Sequence, residues 1–403
     1  MAINSGFRDG GYGELITKDK MLANYSFLIP SNLLGVQLMS WGYNGYGQLG
    51  LGDRTDRLSP VQVGSLLDWK NVSCGYQYTV ATKTDGSLWA WGGNFSGSLG
   101  LGDTTNRSSP VQVGSLLTWK NVAGGGFHTM ATKTDGSLWA WGSNNTGNLD
   151  SGQLGLGDRI DRSSPVQVGS LYTWNKVACG GSNYTMAIKT DGSLWAWGSN
   201  DRGQLGLGNV SGTLSPVQVG SLLTWKDVSC GERHTMAIKT DGSLWAWGNN
   251  QGYAPNFYGQ LGLGDTTHRS SPVQVGSLLD WKNVSCGAYH TIATKTDGSL
   301  WAWGGNDFGQ LGLGDINVSR SSPVQVGSLL TWKDARCSSF NNIAIKTDGS
   351  LWGWGNNGSS GELGLGITDY AKYSPVQVGS LKNWNSLGTG LGRISATMTA
   401  ATW

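Results

Sequence analysis

The stretch Lys83-Thr84-Asp85-Gly86-Ser87-Leu88-Trp89-Ala90-Trp91-Gly92 constrains the fold more than any other, because it recurs almost letter for letter along the chain. An Asp-Gly pair between runs that alternate apolar and polar residues marks a tight hairpin, since such a turn needs a positive φ that glycine tolerates. The pair returns as Asp135-Gly136, Asp191-Gly192, Asp241-Gly242, Asp297-Gly298 and Asp348-Gly349, each followed by Ser-Leu-Trp. Each copy closes on Trp-Gly, at Trp91, Trp141, Trp197, Trp247, Trp303 and Trp354, and a seventh Trp-Gly, Trp41-Gly42, has no Asp-Gly before it. A fixed internal period describes one array of copied units rather than the several domains that 403 residues would otherwise suggest.

Each unit has room for four strands, placed in the first complete one at Asn71–Gly75 (A), Tyr78–Thr84 (B), Ser87–Gly92 (C) and Pro110–Val113 (D). The tight A–B and B–C connections predict an antiparallel meander, and a strand opening with proline belongs at its edge. Strand A carries Ser, Ala, Cys and Gly, small enough for several units to converge, so the units radiate from a centre as blades. Ser-Pro-Val-Gln-Val occurs seven times, at Pro60, Pro110, Pro165, Pro216, Pro272, Pro323 and Pro375, which sets the number of blades at seven. The repeat starts midway, with strands C and D from Val36. It ends on an A strand after Trp384 and a B strand at Arg393–Met398. Both ends therefore build one blade, which removes the exposed edges of an open array. The expectation is an all-β, seven-bladed β-propeller of four-stranded antiparallel blades over residues 36–403. Residues 1–35 form an arm with a short helix near Thr17, and Met21, Leu22, Tyr25 and Phe27 are its candidate anchors to the propeller or to a partner.

Composition excludes several functions. A net charge of +2 with 13% charged residues gives no electrostatic case for nucleic acid or an anionic membrane. No stretch approaches the roughly 20 apolar residues of a membrane span, and Met1–Gly10 lacks a basic region followed by an apolar one. The reading is a protein made in the cytoplasm, without signal peptide or membrane insertion. Cys74, Cys179, Cys230, Cys286 and Cys337 occupy one place in different units and are read as reduced and buried. Trp89 and Trp91 share one side of strand C, and each packs about 200 Å² between blades, roughly 5 kcal/mol as an upper bound. His128, His234 and His290 do not make a metal set, because Tyr78, Tyr184, Asn341 and Arg393 take their place in sister units. The Gly-Gln-Leu-Gly-Leu-Gly-Asp segments precede no helix that would cradle a phosphate. No cofactor, metal or catalytic residue is assigned.

Comparing the copies sorts them by face. From each Ser-Pro proline to the next Trp-Gly tryptophan the spacing is 31 residues five times and 32 once. From tryptophan to proline it runs 19, 19, 24, 19, 25, 20 and 21, so insertions fall in the C–D loops. Alternating strand direction puts A–B and C–D loops on one face and the invariant Thr-Asp-Gly turns on the other. The varied face is the candidate binding surface. It presents Tyr76, Gln77, Phe127, Asn183, Glu232, Arg233, Tyr289 and Phe340 from A–B loops, with Asn145, Asp150, Tyr253 and Phe257 from the two long C–D loops.

The motifs Gly-x-x-His-Thr at Gly231–Thr235, Trp247-Gly248 and Gly259-Gln260-Leu261-Gly262-Leu263-Gly264 resemble those of the regulator of chromosome condensation repeat family, over about Val36 to the C-terminus. The resemblance implies the seven-bladed propeller and a structural histidine bonded to the backbone. It also implies non-enzymatic work such as nucleotide exchange, inhibitor binding or scaffolding. The near-identical copies and the lead-in arm are similar to members encoded by phages and environmental bacteria. That implies a protein-binding or structural part of a virion, a tail appendage or host-attachment component, whose partners are other virion proteins or a host surface receptor. The alternatives are an exchange factor for a small GTPase and a proteinaceous enzyme inhibitor.

Overall fold

Each hairpin is held by its own side chains. Asp85 Oδ1 accepts the Ser87 N–H at 2.8 Å and its hydroxyl at 2.7 Å, while Ser87 Oγ accepts the Trp89 indole N–H at 2.8 Å. Gly86 sits at φ 83°, and a Cβ there would lie 2.3 Å from the Leu117 carbonyl oxygen of the link to the next blade. Turn geometry and a close neighbour thus both require glycine.

The structure is a computed structural model and describes residues 35–145, 147, 152–252, 258–390 and 393–399. They form seven four-stranded antiparallel sheets, as expected. In the first blade the order is Trp69–Cys74, Tyr78–Lys83, Leu88–Gly92 and Arg107–Gln112 from inside out. Blades two to six begin at Trp119, Trp174, Trp225, Trp281 and Trp332. The seventh blade joins Trp384–Gly390 and Arg393–Thr399 to Val36–Gly42 and Arg57–Gln62, with an unbroken register from Val36↔Thr399 to Trp41↔Ile394. The ring is shut by strands from opposite ends of the chain. Residues 1–34, with Met21, Leu22, Tyr25 and Phe27 and the expected helix, lie outside the described residues.

Most strand boundaries fall within one residue of expectation, and two strand starts lie further out. Strand A starts at Trp69 rather than Asn71, because Trp69 pairs with Lys83 before a bulge and Asn71 then pairs with Thr82. Strand D starts at Arg107, since the ladder runs from Ala90↔Val111 to Gly92↔Arg107 across a bulge that contains Pro110. The outer edge makes proline's missing N–H harmless there.

The core lies between blades. Tyr184, Met186, Ile188, Leu194, Ala196, Leu205 and Val219 of the third blade bury against Trp225, Val228, Ala237 and Trp247 of the fourth, and comparable clusters fill the other interfaces. Trp247 is fully buried and its indole N–H donates at 2.9 Å to the Gln204 carbonyl of the blade before. Trp41, Trp141, Trp197, Trp303 and Trp354 make the same cross-blade bond.

Candidate protein-binding face

The C–D loops are pinned before they present anything. Asn44 Oδ1 accepts Leu49 N–H at 2.9 Å and its amide donates to the Asp53 backbone carbonyl at 3.1 Å, while Arg57 pairs with the Asp53 carboxylate at 2.5 Å. This set recurs around Asn94, Asn144 and Asn250. It explains the Gly-Gln-Leu-Gly-Leu-Gly-Asp segments as loop scaffolding.

Backbone bonds tie neighbouring A–B loops into a belt around the mouth of the ring. Tyr76 N–H reaches Gly126 O at 3.3 Å, Gly181 N–H reaches Gly231 O at 3.1 Å, and Ala288 N–H reaches Ser339 O at 3.0 Å. The third blade's loop has one extra residue, and Asn183 absorbs it at φ 60°, a conformation that asparagine accepts better than most residues. That extra length brings Ser182 to Glu232. The Ser182 N–H donates to the Glu232 carbonyl at 2.9 Å and its hydroxyl to Oε1 at 2.8 Å. The other carboxylate oxygen of Glu232 accepts the Tyr76 hydroxyl from across the ring. Arg233 Nε donates to Ser182 Oγ at 3.1 Å and its terminal nitrogen pairs with Asp201 at 2.8 Å. The centre of the face is therefore a half-buried, charged hydrogen-bond network spanning the first, third and fourth blades.

Aromatic side chains flank this centre in two arcs. One runs Tyr43, Tyr46, Phe95, Phe127, Tyr76 with successive ring centroids 5.3–6.4 Å apart. The other runs Tyr258, Tyr289, Phe340, Phe308, Tyr370 at 5.1–6.3 Å. Of the sequence-predicted residues, Tyr76, Phe127, Glu232 and Arg233 join one connected surface, and Tyr289 and Phe340 join the second arc. Asn145 is exposed, and its Oδ1 accepts the Gly147 N–H at 2.9 Å within its own loop. Gln77 and Asn183 are half-buried loop positions. Asp150, Tyr253 and Phe257 lie outside the described residues. Sequence reasoning missed Tyr43, Tyr46, Phe95, Ser182, Asp201, Phe308 and Tyr370. The signal was available in the copies, since the places just after Trp-Gly-x-Asn differ from blade to blade as much as the A–B loops do.

The groups that suggested chemistry are spent on packing. His128, His234 and His290 are fully buried, and burial pulls their ring pKa values down to about 3, 3 and 4. Their Nε2 atoms bond side chains of the next blade, Thr185 Oγ1 at 3.1 Å, Thr291 Oγ1 at 3.2 Å and Asn342 Oδ1 at 2.8 Å, rather than the backbone implied by the resemblance. The sister residue Tyr184 does take the backbone role, donating to His234 O at 2.6 Å. Four cysteine thiols sit 3.2–3.6 Å from carbonyls of the preceding blade, and burial pushes them up; Cys286 reaches about 12. All five are free thiols. Cys179, Cys230, Cys286 and Cys337, the first two only half-buried, line a central channel of about 210 Å³ together with small residues such as Ser73, Ala123 and Ser285, and with one arginine, Arg336, paired to Asp334 at 3.4 Å. Among the described residues no three His, Cys, Asp or Glu side chains are grouped to hold a metal.

Comparison with known proteins agrees with this geometry. The RCC1-like domain matches residues 150–396, and the regulator of chromosome condensation (RCC1) repeat matches residues 37–82 and 85–132. The chain is 36% identical over 356 residues to the Ultraviolet-B receptor UVR8 of Arabidopsis thaliana, covering 86% of this chain and 66% of the receptor. It is 33% identical over 215 residues to the probable E3 ubiquitin-protein ligase HERC6 of Homo sapiens, covering 51% of this chain and 20% of the ligase. It thus spans less than two thirds of either relative. These relatives are eukaryotic, and they lend no support to a phage or bacterial type or to a place in a virion. Among solved structures, human WBSCR16 superposes with a TM-score of 0.79 at 20% identity, covering 91% of this chain and 100% of that one. Prp20p from Saccharomyces cerevisiae superposes at 0.77 with 21% identity, covering 91% of each chain. These two likenesses concern the fold alone. By its repeats and its domain match, the chain belongs to the RCC1-like domain family.

Proposed function

We propose that this protein is a non-enzymatic binding propeller that docks a protein partner on the varied loop face. The observation that carries the reading is the Tyr76–Glu232–Ser182–Arg233 network set between two aromatic arcs. Tyr, Phe and Arg around a half-buried polar centre are the composition of interface hot spots. Prp20p, which has the same fold, is described by its binding to Gsp1p and histones, and yeast RCC1 in complex with Kap60. Protein recognition is therefore an established use of this scaffold. A place in a virion rests on the resemblance alone, and exchange on a small GTPase is the second reading, favoured by the fold shared with Prp20p.

A photocrosslinking residue at Phe127 of the full chain, in lysate of the source organism, tests the reading. A discrete adduct that disappears in Glu232→Lys and Arg233→Glu is the expected result. Adducts indifferent to both charge reversals would overturn it, and catalysed nucleotide release from a small GTPase would replace it with the exchange-factor reading.

A further inference from the structure

The opposite face carries a second recurring feature. In every complete blade a lysine at the end of strand B lies over two tryptophan rings. Lys239, 7% exposed, has its ammonium 3.5 Å from the Trp245 centroid and 4.9 Å from that of Trp225. Lys133 and Lys189 keep the same distances to their outer rings, 3.6 Å each. Each forms the polar corner of a groove between blades: about 380 Å³ at Lys133, 370 Å³ at Lys189 and 560 Å³ at Lys239. The Lys239 groove is otherwise lined by Leu207, Val217, Leu222, Trp225 and Pro272. Leu222 and its neighbour Leu223 are 49% and 56% exposed, and exposed apolar pairs stand at the other two grooves, Leu116-Leu117 and Leu171-Tyr172.

The chain itself shows what these lysines bind. Where the link residue before the strand-A tryptophan is aspartate, at Asp68 and Asp280, its carboxylate lies 3.5 Å from Lys83 and Lys295. In those two blades the ammonium is drawn off its outer tryptophan, to 4.3 and 4.5 Å. In the three grooved blades the same position is Thr118, Thr173 and Thr224, and among the described residues no carboxylate lies within ion-pair distance of the lysine, in contrast to Lys83 and Lys295. The hairpin carboxylate on the same blade is already engaged, as Asp241 is by the Ser243 N–H at 2.9 Å and hydroxyl at 2.6 Å. Seated on two ring faces at the corner of an open groove, with only a through-space attraction to its hairpin aspartate, such an ammonium is left to water as its acceptor, and a carboxylate arriving with its own apolar surface can replace that water.

We infer that the grooves at Lys133, Lys189 and Lys239 are repeated docking sites for a protein segment that places an Asp or Glu carboxylate on the lysine and an adjacent apolar side chain against the tryptophan and the exposed link leucine. The lysine sets the occupant's charge, and the exposed link leucine, Leu116, Leu171 or Leu222, sets its hydrophobic neighbour. The grooves share no residue with the Tyr76–Glu232–Arg233 network, so several copies of an acidic segment can be held while that network is engaged.

The test is proton–carbon NMR of the full chain with lysine Cε labelled, where the tryptophan rings shift these lysines away from the exposed ones. The probe is the peptide acetyl-Leu-Asp-Leu-amide, with its Asn counterpart and glucuronic acid as comparisons. The Asp peptide is expected to move Lys133, Lys189 and Lys239 and to leave Lys83 and Lys295 in place, with binding about tenfold weaker for the Asn peptide. Thr224→Asp is expected to silence Lys239 alone, and Asp280→Thr to make Lys295 respond. Both substitutions copy a residue that sister blades already carry, and they act in opposite directions, so misfolding cannot mimic the pair of results. The proposal is overturned if the lysines respond alike with and without the aspartate, if the Asn peptide binds equally, or if none of them moves. A response to glucuronic acid but not to the peptide would overturn the protein assignment.

Discussion

Acid should loosen this ring through three histidines. His128, His234 and His290 ordinarily titrate near 6.5, but burial holds them at about 3, 3 and 4 in the folded chain. A folded pKa below the unfolded one means that the unfolded chain takes up protons first. The stability is complete above about pH 6.5 and is lost as pH falls towards the folded values. Between pH 7 and pH 5 each histidine costs about 2 kcal/mol, or about 6 kcal/mol for the three, which for a ring of this size lowers Tm on the order of 8 °C. His268 is half-buried and shifted in the same direction, so it adds a smaller part. The hairpin aspartates, such as Asp85 and Asp241, are held below their usual 3.8 by bonds from their serines, so their contribution is lost only further into acid. The perturbation is His128→Tyr, His234→Tyr and His290→Tyr together, because Tyr78 and Tyr184 already fill this place in sister blades and the adjoining glycine is present in all of them. Melting curves at pH 7 and pH 5 should show the Tm drop in the native chain and most of it abolished in the triple variant. An equal drop in both would refute the reasoning.

Other outcomes follow from the same geometry. A Cβ at Gly206 would lie 2.8 Å from the Trp247 indole nitrogen at φ 74°, so Gly206→Ala should cost roughly 2–4 kcal/mol in urea unfolding, from backbone strain and overpacking together. Ending the chain at Gly390 removes Arg393–Thr399 and leaves Val36–Gly42 without its inner neighbour. The amides of that strand should then exchange fast, and size-exclusion should show association through the bared edge. Glu232→Ala leaves the Tyr76 and Ser182 hydroxyls without their shared acceptor, so it should lower stability by only about 1 kcal/mol at this half-exposed site while abolishing the Phe127 crosslink.

The architecture was legible because its signals are local and copied. An Asp-Gly turn, a Trp-Gly strand end and an edge proline each specify their own few residues, and six copies of the first and seven of the others remove ambiguity. Trp69 falls outside the strand A expected from the sequence because a bulge, invisible in the sequence, lets it pair with Lys83 before the regular ladder begins. The loop face was legible as a region but not as a site. Tyr76 and Glu232 are 156 residues apart, and only the curvature of the ring brings them together. The extra residue near Asn183 was visible as a spacing of 32, yet its effect, delivering Ser182 to Glu232, depends on a left-handed backbone that no pattern announces.

The seventh sheet pairs Val36–Gly42 with Arg393–Thr399, so its hydrogen bonds wait until the other six blades have been synthesised. Six wedges can form while translation proceeds, but the first of them keeps an uncovered flank until Arg393–Thr399 emerges and zips onto Val36–Gly42. Circularly permuted versions cut at a Thr-Asp-Gly turn would move that final seam to another wedge, and the rate of ring completion would then report which seam nature chose and at what kinetic cost.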